Sequence, residues 1–341
     1  MVGAGVMGAA AAWRLAREGR DVVLLEQFQV GHDHGSSHGS ARVFRFSYDD
    51  ARYVGMAMEA LPLWRRLEDD CHQHLLTVTG GFDLGSPERL DAHERALDAR
   101  AAIWDLVDGG EVSRRFPGVA PPRGSKVLFQ PDAGVLAADL AVRAFVNAAV
   151  SRGAELRERT RVTALRPGRS GVEVATRGDV VHANVVVVTA GAWARPLLAG
   201  ASIDLPVRPS RETVAYFPVD PGMVLPVFVE WIDGPGPLYA LSTPGQGLKT
   251  GWHHSGSDTS PDDRGRVDLR IVERMSRWVA ERFPGANPTP HHAETCIYTN
   301  TADDHLILER KGSVVVGSAC SGHGFKFAPL VGERLARLAS R

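Results

Sequence analysis

Hydrophobic and polar positions alternate with two periods along this chain. Residues 9–17 are apolar at most positions, and Gly19 stands where a helix C′ glycine would. Residues 21–26 (Asp-Val-Val-Leu-Leu-Glu) then predict a strand. Residues 53–70 place Met56, Leu61, Leu63 and Leu67 at helical spacing despite Pro62, and 137–152 give an amphipathic helix closed by Gly153. Residues 31–45, rich in Gly, Ser and His, read as a loop entering a helix. Residues 75–84 alternate like one strand, whereas 88–106 read as a pair of surface helices.

In the second half, 155–157, 161–166 and 171–176 are short strand patterns, and 185–189 is an unbroken apolar run suited to a strand buried on both faces. The run ends in the tight turn Ala190-Gly191-Ala192-Trp193. Residues 207–253 break into short strand-like pieces between Pro and Gly, which predicts an antiparallel sheet, and 262–283 predict a polar-faced helix. From Cys296 onward the pattern is strand, turn and helix, with the apolar strand at 313–317. Nucleotide-type segments thus open, interrupt and close the chain, with other segments between them.

Composition narrows the classes. The 341 residues exceed one typical domain. A net charge of −1 gives no electrostatic reason to expect nucleic acid or an anionic membrane as partner. No apolar run reaches the roughly 20 residues that span a bilayer, and no signal peptide is recognisable, so a cytoplasmic protein is expected. Cys71, Cys296 and Cys320 are too few and scattered for a disulfide framework. His32-Asp33-His34 is the one candidate metal cluster, and it reads as exposed loop, so no metal site is expected. No G-x-S-x-G is present to suggest hydrolase chemistry.

The chemistry gathers at the two ends. Gly3-Ala-Gly5-Val-Met-Gly8 fits the dinucleotide fingerprint, and Glu26, about 20 residues on, stands where an acid can accept hydrogen bonds from a ribose. Only Met1 and Val2 precede Gly3, although the fingerprint should follow a strand. An upstream start is therefore expected; a short first strand is the rival. Near the other end, Cys296-Ile-Tyr298-Thr precedes the strand at 313–317, which runs into the glycine-punctuated turn Ser321-Gly322-His-Gly324-Phe325-Lys326.

Six ordered features resemble one family: Gly3-x-Gly5-x-x-Gly8 with Glu26; residues 37–45 with His38, Arg42 and Arg45; the 185–193 strand and turn; Lys249-x-Gly-Trp-His253; Cys296-Ile-Tyr298-Thr; and Gly322-His-Gly324-Phe325-Lys326. The chain resembles the monomeric sarcosine oxidase and N-methyltryptophan oxidase group within the D-amino-acid-oxidase-like FAD enzymes. The resemblance implies an α/β (α+β) fold of two domains. Residues 1–75, 135–200 and 295–341 would form a Rossmann-like FAD-binding domain. Residues 76–134 and 201–294 would form a discontinuous antiparallel-sheet substrate domain.

The resemblance also implies roles. Cys296 matches the cysteine bonded to the flavin, and Lys249 the lysine that favours electron transfer to O₂. Arg45 and Lys326 match the cations that grip a substrate carboxylate, and Arg42 a basic residue against the flavin ring. His253 and Tyr298 match residues of the substrate pocket. Gly3, Gly5, Gly8, Glu26, His38, Val162, Ala190, Gly191, Gly322, Gly324 and Phe325 complete the cofactor-binding set. The implied reaction oxidises a secondary or N-methylated amino acid to an imine, with hydrogen peroxide as the second product and a monomer as the working unit. Ala41 replaces a frequent Thr, and residues 238–243 depart from the family pattern at the amine end of the pocket. A biosynthetic oxidase of a cyclic amino or imino acid is the alternative. From other classes, an NAD-dependent dehydrogenase or a non-catalytic flavin-binding protein stays open.

Overall fold

The computed structural model describes residues 1–341 except 221, 224 and 319. One sheet is organised around the chain's first residues. Strand Val23–Leu25 pairs in parallel with Glu155–Arg157, and Val186–Val188 pairs in parallel with Val314–Ser318. Val2 joins the two pairs, parallel to Leu25 on one side and to Val188 on the other. Bonds of 2.9 Å from Val2 N to Val187 O and from Gly3 N to Leu25 O close both flanks. Residues 1–3 therefore take the central place expected of the first strand. Val186–Val188 are buried on both faces, as their unbroken apolar run requires.

Helix Val6–Arg17 packs against Ala138–Val150 and Ala328–Ala339. Its alanine run has a packing reason. Ala9 to Ala12 are fully buried, and a Cβ built at Gly332 would lie 2.7 Å from the Ala10 backbone. Small residues let the two helices approach closely enough to seal that face of the sheet. Trp13 and Trp64 meet Phe145 at ring-centroid distances of 5.4 and 5.3 Å and fill the space beneath.

A second, nine-stranded sheet runs in the order Ser257–Asp258, Arg208–Phe217, Gly247–Trp252, Leu238–Thr243, Val227–Glu230, Gly81–Leu84, Lys126–Gln130, Asp105–Asp108. His292–Asn300 pairs along Arg208–Phe217, which brings Cys296 opposite Glu212. Helix Leu269–Arg282 covers this sheet with Ile271, Met275, Trp278 and Val279. The fold is thus mixed α/β. No helix among the described residues is long and apolar enough to cross a membrane.

Several expected elements are corrected. The loop at 31–45 contains strand Ala41–Phe44, paired antiparallel with Gly134–Ala137. Residues 75–84 are two strands in two sheets, Leu76–Val78 and Gly81–Leu84, because Gly80 turns the chain at φ +73°. In place of two helices at 88–106 there is one, Pro87–Asp98; the left-handed turn at Ala101 (φ 51°) then leads to strand Asp105–Asp108. The helix expected from 262 begins at Leu269, since Gly265 is left-handed (φ +62°) and the Asp268 side chain caps Arg270 N at 2.8 Å. The large sheet is not wholly antiparallel: Gly81–Leu84 runs parallel to Val227–Glu230.

Candidate active site

At the N-terminal turn, Gly3 adopts φ +95°, and a Cβ there would lie 2.7 Å from Thr189 O. A Cβ at Gly8 would meet Gly3 O at 1.9 Å, so only glycine allows the helix to start against the turn. Gly8 thus lies beneath the turn, behind the wall of the cavity. Helix Val6–Arg17 has no side-chain N-cap, and Ser37 Oγ accepts from Val6 N at 3.0 Å. Glu26, 4% exposed, accepts from Ala4 N at 2.8 Å and Phe28 N at 2.9 Å. Two backbone bonds leave lone pairs on a carboxylate for further donors.

Beyond this turn opens a cavity of about 1060 Å³. Apart from Gly8, every candidate residue of the sequence analysis lines it: the Gly3–Gly5 turn, Glu26, His38, Arg42, Arg45, Val162, Ala190, Gly191, Lys249, His253, Cys296, Tyr298, Gly322, Gly324, Phe325 and Lys326. Both sheets contribute to its wall. The pattern is an apolar enclosure with a few polar groups directed inward, as binding sites usually are.

One polar group centres on Gly39, at φ +100°. A Cβ there would lie 3.2 Å from Lys249 Nζ and 3.3 Å from Arg42 Nη1. Arg42 is held by the carbonyls of Ser36 and His38, at 2.9 and 2.6 Å, and its guanidinium lies 5.6 Å from the Phe325 ring. Lys249 is 4% exposed; burial, then the neighbouring Arg42 charge, push its ammonium down to about 7, against the opposing pull of Cys296, Glu294 and Asp139. Burial and Arg42 likewise push His38 down to about 4. Its buried Nε2 has no hydrogen-bond partner among the described residues. Burial raises the Cys296 thiol to about 11, while Arg42 and Lys249 pull it down.

A second group gathers around Tyr48. Lys326 Nζ donates to Tyr48 Oη at 2.7 Å and to His323 O at 2.9 Å. The Arg45 guanidinium carbon lies 5.0 Å from the Tyr48 ring centre, and Nη1 donates to Asp83 Oδ1 at 2.9 Å and to Ser47 O. Burial, followed by the Arg45 charge, drives the Lys326 ammonium well below its ordinary value, and no acid among the described residues opposes them.

Between the groups, Tyr298 Oη and His253 Nδ1 stand 3.3 Å apart. Gly322 at φ +72° lets both rings approach: a Cβ there would lie 2.1 Å from Tyr298 Cε2 and 2.4 Å from His253 Cε1. Burial, with His254 second, keeps His253 well below the usual histidine range.

The sequence reading missed Tyr48, Trp231 and Glu294, which line the cavity, and Asp83, which accepts from Arg45 behind its wall. Glu294 had a legible signal, since alternation along strand His292–Asn300 puts 294, 296 and 298 on one face. Tyr48 meets Lys326 across 278 residues, and no local pattern announces that contact.

A dinucleotide-type glycine turn at the centre of a parallel sheet, opening into a cavity shared with a large mixed sheet, defines a nucleotide-cofactor enzyme of the two-sheet α/β kind. The chain belongs to the FAD dependent oxidoreductase (DAO) family, whose pattern matches residues 1–338. It is 33% identical to the monomeric sarcosine oxidase of Bacillus sp. (strain B-0618), covering 99% of this chain and 91% of that protein. It is also 33% identical to the human peroxisomal sarcosine oxidase, covering 100% of this chain and 91% of that one. Among solved structures it superposes on NikD, an unusual amino acid oxidase essential for nikkomycin biosynthesis, with a TM-score of 0.89 and 26% identity, covering 99% and 92% of the two chains.

The residues present fit FAD. The glycine cradle, the helix start whose N-cap residue Gly5 has no side chain, the Glu26 carboxylate and the unpartnered His38 Nε2 are the features that a bound dinucleotide with a polar ring system would satisfy.

Proposed function

We propose that this FAD-dependent enzyme oxidises a secondary or N-methylated amino acid, yielding an imine that water hydrolyses to an aldehyde and an amine. The observation that carries this reading is Lys326. It is 5% exposed, it stands with Arg45 beside the same phenol, and it has no ion pair with any acid among the described residues. A buried ammonium without a counter-ion is costly unless a ligand supplies the anion. A carboxylate does so, with an ammonium as point charge and a guanidinium as fork.

FAD, when bound, supplies a two-electron acceptor for the amine C–H bond and returns those electrons to O₂ as hydrogen peroxide. Gly3, Gly5, Glu26, His38, Arg42, Val162, Ala190, Gly191, Gly322, Gly324 and Phe325 would hold it, with Cys296 as covalent tether. Residues 1–75, 135–200 and 295–341 form the part that holds the cofactor; 76–134 and 201–294 form the part that shapes the substrate end.

Arg45 and Lys326 orient the substrate by its carboxylate. Neutral His253 and the Tyr298 phenol face the amine end, and their low basicity and acidity favour binding of the neutral amine. Lys249, on the other side of Arg42, supplies a fixed positive charge for the oxygen step. Likeness to the two sarcosine oxidases named above supports reading the substrate as N-methylated rather than cyclic. Turnover with N-methyl amino acids should release hydrogen peroxide and formaldehyde in equal amounts. Peroxide without an aldehyde, from cyclic imino acids alone, would replace this reading with a ring-desaturating one.

A further inference from the structure

Asp83 lies outside the cavity wall, yet it touches both sides of the cation end. It sits on strand Gly81–Leu84 in the interior of the nine-stranded sheet, paired with Val229 on one side and Leu128 on the other. It is 2% exposed. Its Oδ1 accepts from Arg45 Nη1 at 2.9 Å and from Trp231 Nε1 at 3.0 Å. Both donors line the cavity, and the Arg45 guanidinium lies 5.7 Å from the Trp231 ring centre. Asp83 is also the one acid paired with Arg45 among the described residues.

We propose that Asp83 is the positioning residue of the carboxylate clamp, fixing Arg45 and Trp231 to one rigid strand so that the remaining guanidinium N–H groups face the ligand. The inference rests on the reading of Arg45 as a carboxylate ligand. The strand backbone is hydrogen-bonded on both flanks, so the Asp83 carboxylate cannot follow a ligand. An arginine side chain otherwise has four torsions to order on binding, and an anchor at Nη1 settles that cost before the ligand arrives. Trp231 shares the acceptor atom, so the wall and the cation keep one spacing.

A bystander role predicts the opposite sign. If Asp83 were only a counter-ion, removing its charge would strengthen the positive field and tighten anion binding. A positioning role predicts weaker binding.

The test is titration of holoenzyme with acetate, read as the change in the flavin absorbance band, in Asp83→Asn, Arg45→Met and the double variant. Asp83→Asn should weaken acetate about tenfold and raise the amine KM by a similar factor, with kcat close to that of the parent. In the Arg45→Met background the same change should have a much smaller effect, because only Trp231 is left for the anchor to hold. Acetate binding that tightens or stays unchanged in Asp83→Asn would overturn the proposal. So would equal losses in both backgrounds, which mark a general structural defect. If Arg45→Met itself leaves acetate affinity unchanged, the clamp reading of Arg45 fails instead. Trp231→Phe, which removes one of the two donors, gives an independent check: it should also weaken acetate, and unchanged affinity there would count against the anchor.

Discussion

Lys326 Nζ lies 2.7 Å from the Tyr48 phenol oxygen, so a buried ammonium is satisfied by neutral oxygens alone. Its burial and the adjacent Arg45 disfavour the charge, and only an incoming anion would restore it. These contacts suit the carboxylate proposed to bind at the cation end. Lys326→Met should raise the KM for an amino acid substrate about a hundredfold, the loss expected when a charge-assisted contact is removed. Steady-state kinetics check it; the flavin content should stay that of the parent.

Lys249 gives a pH prediction. Its folded pKa is about 7, below the ordinary lysine value of 10.5. Between those values the unfolded chain binds more protons than the folded one. Stability from this group therefore rises as pH increases through that window, and the penalty is largest below pH 7. If the Lys249 charge serves the oxygen step as proposed, that rate should fall as pH rises through about 7. Stopped-flow reoxidation of reduced enzyme between pH 6 and 9 checks this, and in Lys249→Met the rate should be low and flat with pH.

Cys296 is a buried thiol raised to about 11. If it tethers the flavin, acid precipitation should carry the yellow colour down with the polypeptide. In Cys296→Ser the colour should stay in the supernatant. Colour lost from the parent protein would remove the tether from the account and leave the remainder standing.

Gly8→Ala tests the turn. The added Cβ would meet Gly3 O at 1.9 Å, and backbone cannot yield there without moving the helix start. Holoenzyme yield should fall to a small fraction of the parent, measured as the ratio of flavin to protein absorbance.

How far the sequence could be read depends on which contacts are local. The glycine turn, Glu26 and the buried 186–188 strand are set by spacing and period, and the structure has them where spacing puts them. Cys296, Lys249, Arg45 and Lys326 were visible as motifs, and the fold gathers them into one cavity. Strand Ala41–Phe44 was hidden because four residues beside a Gly/Ser-rich loop carry little periodicity, and its partner lies near 135. The break at Gly80 looked like a pause in one strand, because alternation cannot show that the two halves join different sheets. Asp83 was invisible for another reason: a lone acid in a strand pattern gives no sign of a partner 38 residues earlier.

The central claim is that a carboxylate-bearing amine reduces a flavin held in this cavity. Its most direct measurement is anaerobic mixing of the holoenzyme with N-methylglycine, and in parallel with the corresponding N-methylglycinamide. The account predicts rapid bleaching of the flavin band by the acid and bleaching at least a hundredfold slower by the amide, which lacks the charge that Arg45 and Lys326 would grip. Equal bleaching by both would contradict the clamp, and bleaching by neither, nor by any other N-methyl or cyclic amino acid, would contradict the assignment of amine oxidation itself.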